Sequence, residues 1–194
     1  MSNFIKVETQ ALDKAKTVLE AVGKKAPQAL RNIVTTAARD AQKSVINQIT
    51  SEYYINAPDV RSAMKLSGPS GGRGGYTMLL TARGPRRELI RFKVQSDRPQ
   101  HTNHPQPIQV GVRRDDGLKT YPGGFVQFGG GGMPHVLKRV DQPRYPIHIK
   151  YGPSVPEMMG DQMEESSYND MLRQALESGY ERAIEREIGK LLGG

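Results

Sequence analysis

Between Pro27 and Tyr53 the chain places Leu30, Ile33, Val34, Ala37, Ala38, Ala41, Val45, Ile49 and Tyr53 three or four positions apart, along one stripe of a helix. Proline suits a first helical turn, because its missing N–H has no partner there in any case. The spacing therefore predicts about seven turns, roughly 40 Å at 1.5 Å per residue. That is longer than a compact domain needs, so the helix is expected to run along a neighbour or across a sheet. A shorter stripe precedes it: Leu12, Ala15, Val18, Leu19 and Val22 predict a helix that Gly23 ends.

The stretch YINAPDVRSAMKL, residues 54–66, marks the end of the long helix. Asn56 leaves the helical conformation at little cost, Pro58 sets φ for a new first turn, and Asp59 places negative charge at that turn's positive end. A helix, a corner and a short helix are expected. Val60, Ala63 and Met64 would tuck back against the long helix, while Arg61 and Lys65 face outward.

After Leu66 the pattern changes. GPSGGRGG, residues 68–75, has five glycines and no aliphatic residue, and reads as a mobile connection. Its single GGRGG also resembles the Arg-Gly repeats of RNA-binding tails. Strand-like runs follow at Tyr76–Ala82, Glu88–Val94, Ile108–Arg113, Gly124–Phe128 and Ile147–Tyr151. In two of them the alternation is plain: Ile90, Phe92 and Val94 oppose Arg91 and Lys93, and Ile108, Val110 and Val112 oppose Gln109 and Gly111. Residues 95–107, with three prolines and no aliphatic residue before the next strand, are expected to form an exposed loop that orders on assembly, and GGGGMP, residues 129–134, a second long loop. A last helix is predicted from Tyr168, Met171, Leu172, Ala175, Leu176, Gly179, Tyr180, Ala183, Ile184, Ile188 and Leu191.

The expected fold class is α+β: long N-terminal helices, a central antiparallel or mixed β-sheet with long loops, and a long C-terminal helix. All 194 residues are expected in one domain, divided into a helical part (1–66), a basic Gly/Pro-rich sheet part (67–151) and a C-terminal helical part (152–194). The core is lean. Only 36% of residues are hydrophobic, none is Trp, and the mean hydropathy is −0.60, which favours burial against further copies or a partner.

Charge is segregated along the chain. From Gly152 onward four Lys/Arg face nine Asp/Glu, a balance of −5, so the net +8 leaves +13 on the first 151 residues. Residues 65–150 alone carry fifteen basic and five acidic side chains. Arg83, Arg86, Arg87, Arg91 and Lys93 are the candidates to meet DNA or an acidic protein surface, the alternative being a solvated basic face. A positive sheet part and a negative last helix suit head-to-tail packing of identical subunits.

The residues offer no catalytic constellation. With no cysteine, disulfides and thiolate metal sites are excluded. His101 and His104 stand three apart in a Pro-rich loop without partner ligands, His135 stands alone, and His148 reads as a surface residue between Ile147 and Ile149. Gly23-Lys24 lacks the rest of a phosphate-binding loop. Asp115-Asp116-Gly117 reads as a hairpin turn. No cofactor, no metal and no enzymatic activity are expected, and no stretch approaches a membrane span of about 18 apolar residues.

YGPSVPEMMG, residues 151–160, reads as the end of a strand at Gly152-Pro153, a cap at Ser154, Pro156 in the first turn of a short helix that Gly160 stops, and Met158-Met159 as adaptable apolar contacts. It is either a docking element or a connector packed on its own subunit. Tyr151, Pro153, Val155, Pro156, Met158 and Met159 are the candidates for subunit or tail docking. Together with the Tyr53, Ile55, Asp59, Val60, Arg61 corner, this segment resembles the phage minor tail protein Z family, the tail completion proteins of long-tailed phages. The likeness covers both ends of the chain, and residues 68–140 match only in being Gly-rich and strand-like.

The resemblance implies a structural protein of the virion tail or neck, assembled in the host cytoplasm. It would complete the tail and join it to a DNA-filled head as a homo-oligomer, by expectation a hexameric ring. Its neighbours would be tail terminator, tail tube or head-tail connector proteins, with contact to genomic DNA possible and no membrane. A basic nucleic-acid-binding protein without catalysis is the alternative from charge, although aromatic residues are few and not interleaved with the basic ones.

Overall fold

The computed structural model describes residues 26–72, 75–96, 98–99, 107–139, 145–163 and 166–192. The expected helix over residues 8–22, the histidine pair at 101 and 104 and the centre of the Pro-rich loop lie outside the described residues.

The long stripe forms helix α1, Ala26–Glu52, and the residues that define it are those that disappear from solvent: Ile33, Ala37, Val45 and Ile49 are fully buried. Its length is covered within the chain. Helix α4, Ser166–Leu192, lies antiparallel along its first half, where Asn32 Nδ2 donates to Glu187 Oε2 at 3.1 Å and Arg182 pairs with Asp40 at 3.1 Å. The two helices come close together at Gly179, where a Cβ would stand 3.2 Å from Ala37 Cα. Ala29, Ile33, Val34 and Ala37 meet Tyr180 and Ala183 there in a satellite cluster.

Glu187 is nearly buried against α1 although it is acidic. Burial pushes its carboxyl up, but hydrogen bonds from Lys190 and Asn32 and the charges of Lys190 and Arg186 outweigh that and hold it below the usual range.

Helix α2 is shorter than expected, Ala57–Ser62, with Asp59 in its first turn and Asn56 extended ahead of it. Met64, Lys65 and Leu66 leave the helix to begin strand β1, Met64–Gly72, which pairs antiparallel with β2, Gly75–Ala82. GPSGG is thus one arm of a hairpin and not a loose connection. Ladder bonds to β2 order it without aliphatic side chains, and an irregularity between Ser67 and Ser70 takes up the proline. Tyr76 and Met78 on the partner strand cover the satellite cluster.

Two further antiparallel sheets follow. Strands β3 (Lys93–Gln95), β4 (Gln109–Gly111) and β5 (Lys119–Thr120) form one in that order. Strands β6 (Gly124–Phe128), β7 (Pro134–Arg139) and β8 (Ile147–Ile149) form the other. The alternation read over Glu88–Val94 does not hold as one strand. Leu89–Arg91 form a 3-10 turn closed by the Phe92 N–H donating to the Leu89 carbonyl at 3.1 Å, so Leu89 and Phe92, three apart, share the buried side. GGGGM, residues 129–133, is a tight hairpin link and not a long loop: Gly129 donates to the Met133 carbonyl and Gly132 to the Gly129 carbonyl, each at 2.9 Å.

Helix α3, Val155–Met163, continues through Gly160. One main cluster gathers Val45, Ile49, Tyr53, Ile55, Val60, Phe92, Ile108, Val136, Val155, Met158 and Met159. The corner segment and the GPSVPEMM segment, far apart in sequence, therefore meet in one core.

Candidate functional site: a basic groove at the helix corner

The chain turns at Tyr53-Tyr54 because consecutive residues go to opposite environments. Tyr53 is buried, bridging to Arg113 of the β4 side, while Tyr54 lies at the surface edge and donates its N–H to the Val112 carbonyl at 2.9 Å. The Tyr54 ring rests on Gly111, where a Cβ would stand 3.0 Å from the ring and 2.9 Å from the Gly117 carbonyl. Only glycine leaves that seat open. Lys93 Nζ lies 5.0 Å and the Arg114 guanidinium 4.7 Å from the ring centroid, within cation–π range. Arg114 Nε also donates to the Thr50 carbonyl at 3.0 Å, tying it to the end of α1.

An open groove of about 350 Å³ runs beside this ring, lined by Tyr54, Asn56, Asp59, Arg91, Lys93 and Arg114 together with Ile55, Ile90 and Phe92. Its one carboxylate, the half-buried Asp59, stands 3.7 Å from the exposed Arg91, a loose pair worth little. Three cations against one anion leave the groove positive.

The five basic candidates separate. Arg91 and Lys93 come together in the groove. Arg86 is exposed and pairs with Glu157 at 3.2 Å. Arg87 is structural: half-buried, it donates through Nη2 to the Asp59 carbonyl at 2.9 Å and to Ser62 Oγ at 3.1 Å, holding the end of α2. Reversing its charge would therefore strike the fold as well as any partner. Arg83 is exposed at the end of the β1–β2 hairpin, away from this constellation. Tyr54 and Arg114 were missed as site residues. The Arg113-Arg114 doublet beside a strand was the available signal, but only the fold sends Arg113 toward the Tyr53 ring and Arg114 to the groove.

In the second segment Val155, Met158 and Met159 are buried in the subunit's own core, so as side chains for a neighbour they have no surface left to give. The β8 end and the Ser154 cap turn them inward. Pro153 and Pro156 are half-buried, and Tyr151 is 51% exposed. Tyr151 follows a sheet face on which Phe125, Leu137 and Ile149 stand in register across β6, β7 and β8, none of them buried. Beside it Glu88 bridges to Tyr151, and its Oε2 lies 2.7 Å from His135 Nδ1. His148 is exposed, as its alternation implied, and Asp115-Asp116 turn the chain from β4 to β5.

Ser154 and Glu157 cap α3 reciprocally: the Ser154 N–H donates to Glu157 Oε2 at 2.7 Å and the Glu157 N–H to Ser154 Oγ at 3.3 Å. These bonds, the backbone one first, then Arg86, hold the Glu157 carboxyl below its ordinary range. A lowered folded pKa means that the stabilisation is present above the usual carboxylate value of about 4.3 and is lost as pH falls through the folded value. Glu157→Ala is expected to cost about 0.5 to 1 kcal/mol at pH 7, at the low end because the pair is solvated, and progressively less towards pH 3. Thermal melts of both proteins at the two pH values check this, and a deficit that does not shrink with acid would refute it.

Among the described residues no group of three or more His, Cys, Asp or Glu is placed to hold a metal, and no helix is long and apolar enough to cross a membrane. What the arrangement offers chemically is recognition: a positive groove beside a corner built from the Tyr-x-Ile segment. The sequence family whose model matches, over residues 9–192, is described as Prophage minor tail protein Z (GPZ). The chain belongs to this family. No curated protein and no solved structure shows significant similarity to it. As a minor tail protein Z family member it is a structural component of a phage tail and so of the virion. The two segments that carried the resemblance owe much of their pattern to packing, since Tyr53, Ile55, Val60, Val155, Met158 and Met159 all belong to the main core.

Proposed function

We propose that this chain completes the phage tail and joins it to the DNA-filled head as a non-enzymatic homo-oligomeric ring. Membership of the minor tail protein Z family over nearly the whole chain carries the reading. The ring is expected to be hexameric, assembled in the host cytoplasm, and to neighbour a tail terminator, the tail tube or a head-tail connector.

Charge and surface support an assembly role. The basic groove suits an acidic protein face, and the outer sheet face ending at Tyr151 suits a tail partner, with Phe128 and Met133 exposed at the nearby hairpin tip. Contact with DNA, the reading from charge alone, is less well served: of the two aromatic rings lining the groove, Phe92 is buried and Tyr54 is already engaged by Lys93 and Arg114, which leaves no free stacking platform there. The test is reconstitution. Tails assembled without this chain are expected not to join filled heads, and adding purified protein should restore joining; tails that join at the normal level without it would overturn the proposal.

A further inference from the structure

Helix α4 carries Glu177, Glu181 and Glu185 four residues apart, one exposed stripe about 12 Å long. Among the described residues none of the three is ion-paired. Of the described cations on the same helix, Arg182 and Lys190 are taken by Asp40 and Glu187, and the charge of Arg186 acts on Glu187. Beyond the end of α1 the corner groove holds Arg91, Lys93 and Arg114 against the single carboxylate of Asp59.

The subunit cannot satisfy one with the other. Arg182 meets Asp40 and Glu187 meets Asn32, so numbers rising along α4 run toward the start of α1, away from its end. Tyr54 lies fourteen residues beyond Asp40, about 20 Å further along the α1 direction, and Glu177, five residues nearer along α4, still falls about 13 Å short of it.

We propose that the groove of one copy receives the Glu177, Glu181, Glu185 stripe of a second copy. The contact joins two different surfaces of identical chains, which makes it heterologous: repeated, it closes into a ring or extends as a filament. The inference rests on the ring reading above and names its contact. A carboxylate helix fits this groove better than a nucleic-acid strand, because the Tyr54 ring, covered by Lys93 and Arg114, leaves no free face for a base, while a helix can set its carboxylates on those two cations beside the Arg91–Asp59 pair.

The experiment is a charge swap on the full-length chain, read by sedimentation velocity at low salt. Wild type is expected to self-associate, less so as salt rises. Arg91→Glu with Lys93→Glu, and separately Glu177→Lys with Glu181→Lys and Glu185→Lys, should each weaken association about tenfold or more while melting like wild type. Mixing the two variants restores it, since each supplies the complement of the other. Should a reversed protein fail to fold, the neutral Arg91→Gln with Lys93→Gln or the matching Glu→Gln set is measured instead.

A wild type that stays monomeric, reversals that leave association unchanged, a mixture that stays apart, or a groove that binds duplex DNA without self-association would each overturn the contact. Head-tail joining assayed on the same variants separates the two proposals. Joining that survives loss of the contact sinks this interface and leaves the tail role standing.

Discussion

Met158→Asp is expected to leave no cooperatively folded protein at 25 °C. Met158 has no exposed surface and Met159 only 1%, both inside the main cluster with Val155 and Tyr53. Truncating a buried Met costs about 2 to 5 kcal/mol, and a carboxylate left there without a partner adds several more. The sum rivals the whole stability of a typical domain, about 5 to 15 kcal/mol. Met158→Leu keeps volume and apolarity and should cost less than about 1.5 kcal/mol. Circular dichroism melts and the soluble yield of both variants decide it. A folded, soluble Met158→Asp with a wild-type melt would mean that this side chain lies on a surface, and would return it to the docking contacts read from sequence.

Tyr53→Ala should destabilise the chain by about 3 to 5 kcal/mol, the range for removing a large buried aromatic group, whereas Tyr54→Ala should cost no more than about 1 to 2. The neighbours differ because Tyr53 is 1% exposed within the core, while Tyr54 lies half-buried over Gly111 with two cations at its ring. Tyr54→Ala is expected instead to loosen Lys93 and Arg114 and to weaken self-association. Denaturant unfolding measures the first effect and sedimentation the second. Equal stability losses for both substitutions would show that the corner does not separate core from site in this way.

Much of the helical architecture was legible because a helix buries one stripe, and a stripe is a period that can be read: α1, α4 and the cap at Ser154 follow from spacing and residue type alone. Short strands were legible in part: the runs at Ile108–Arg113 and Ile147–Tyr151 contain β4 and β8, with His148 turned outward as its alternation implied. Glu88 to Val94 looked like one strand, and the 3-10 turn that places Leu89 and Phe92 on the same side depends on the core they fill. GPSGG looked loose because its order comes from ladder bonds to β2, a partner that no local property of the segment announces.

The candidate site divides in the same way. Its sign was in the sequence, as a basic sheet part and an acidic last helix. Its membership was not. Arg91 and Lys93 were named together and stay together, yet Arg86 is drawn to Glu157 and Arg87 to α2, while Tyr54 and Arg114 arrive from elsewhere. Met158 and Met159 show the limit most clearly. Their residue type says apolar contact, and whether that contact is with a neighbour or with the subunit's own core turns on which way β8 and the Ser154 cap aim the helix. The amino-acid order by itself determined the helical periods, the charge segregation and the family, because each is a property of residue type and spacing along the chain. The tertiary structure alone decided which cations share a groove and which apolar side chains remain for a partner, because both depend on distances between segments that the chain brings together only when it packs.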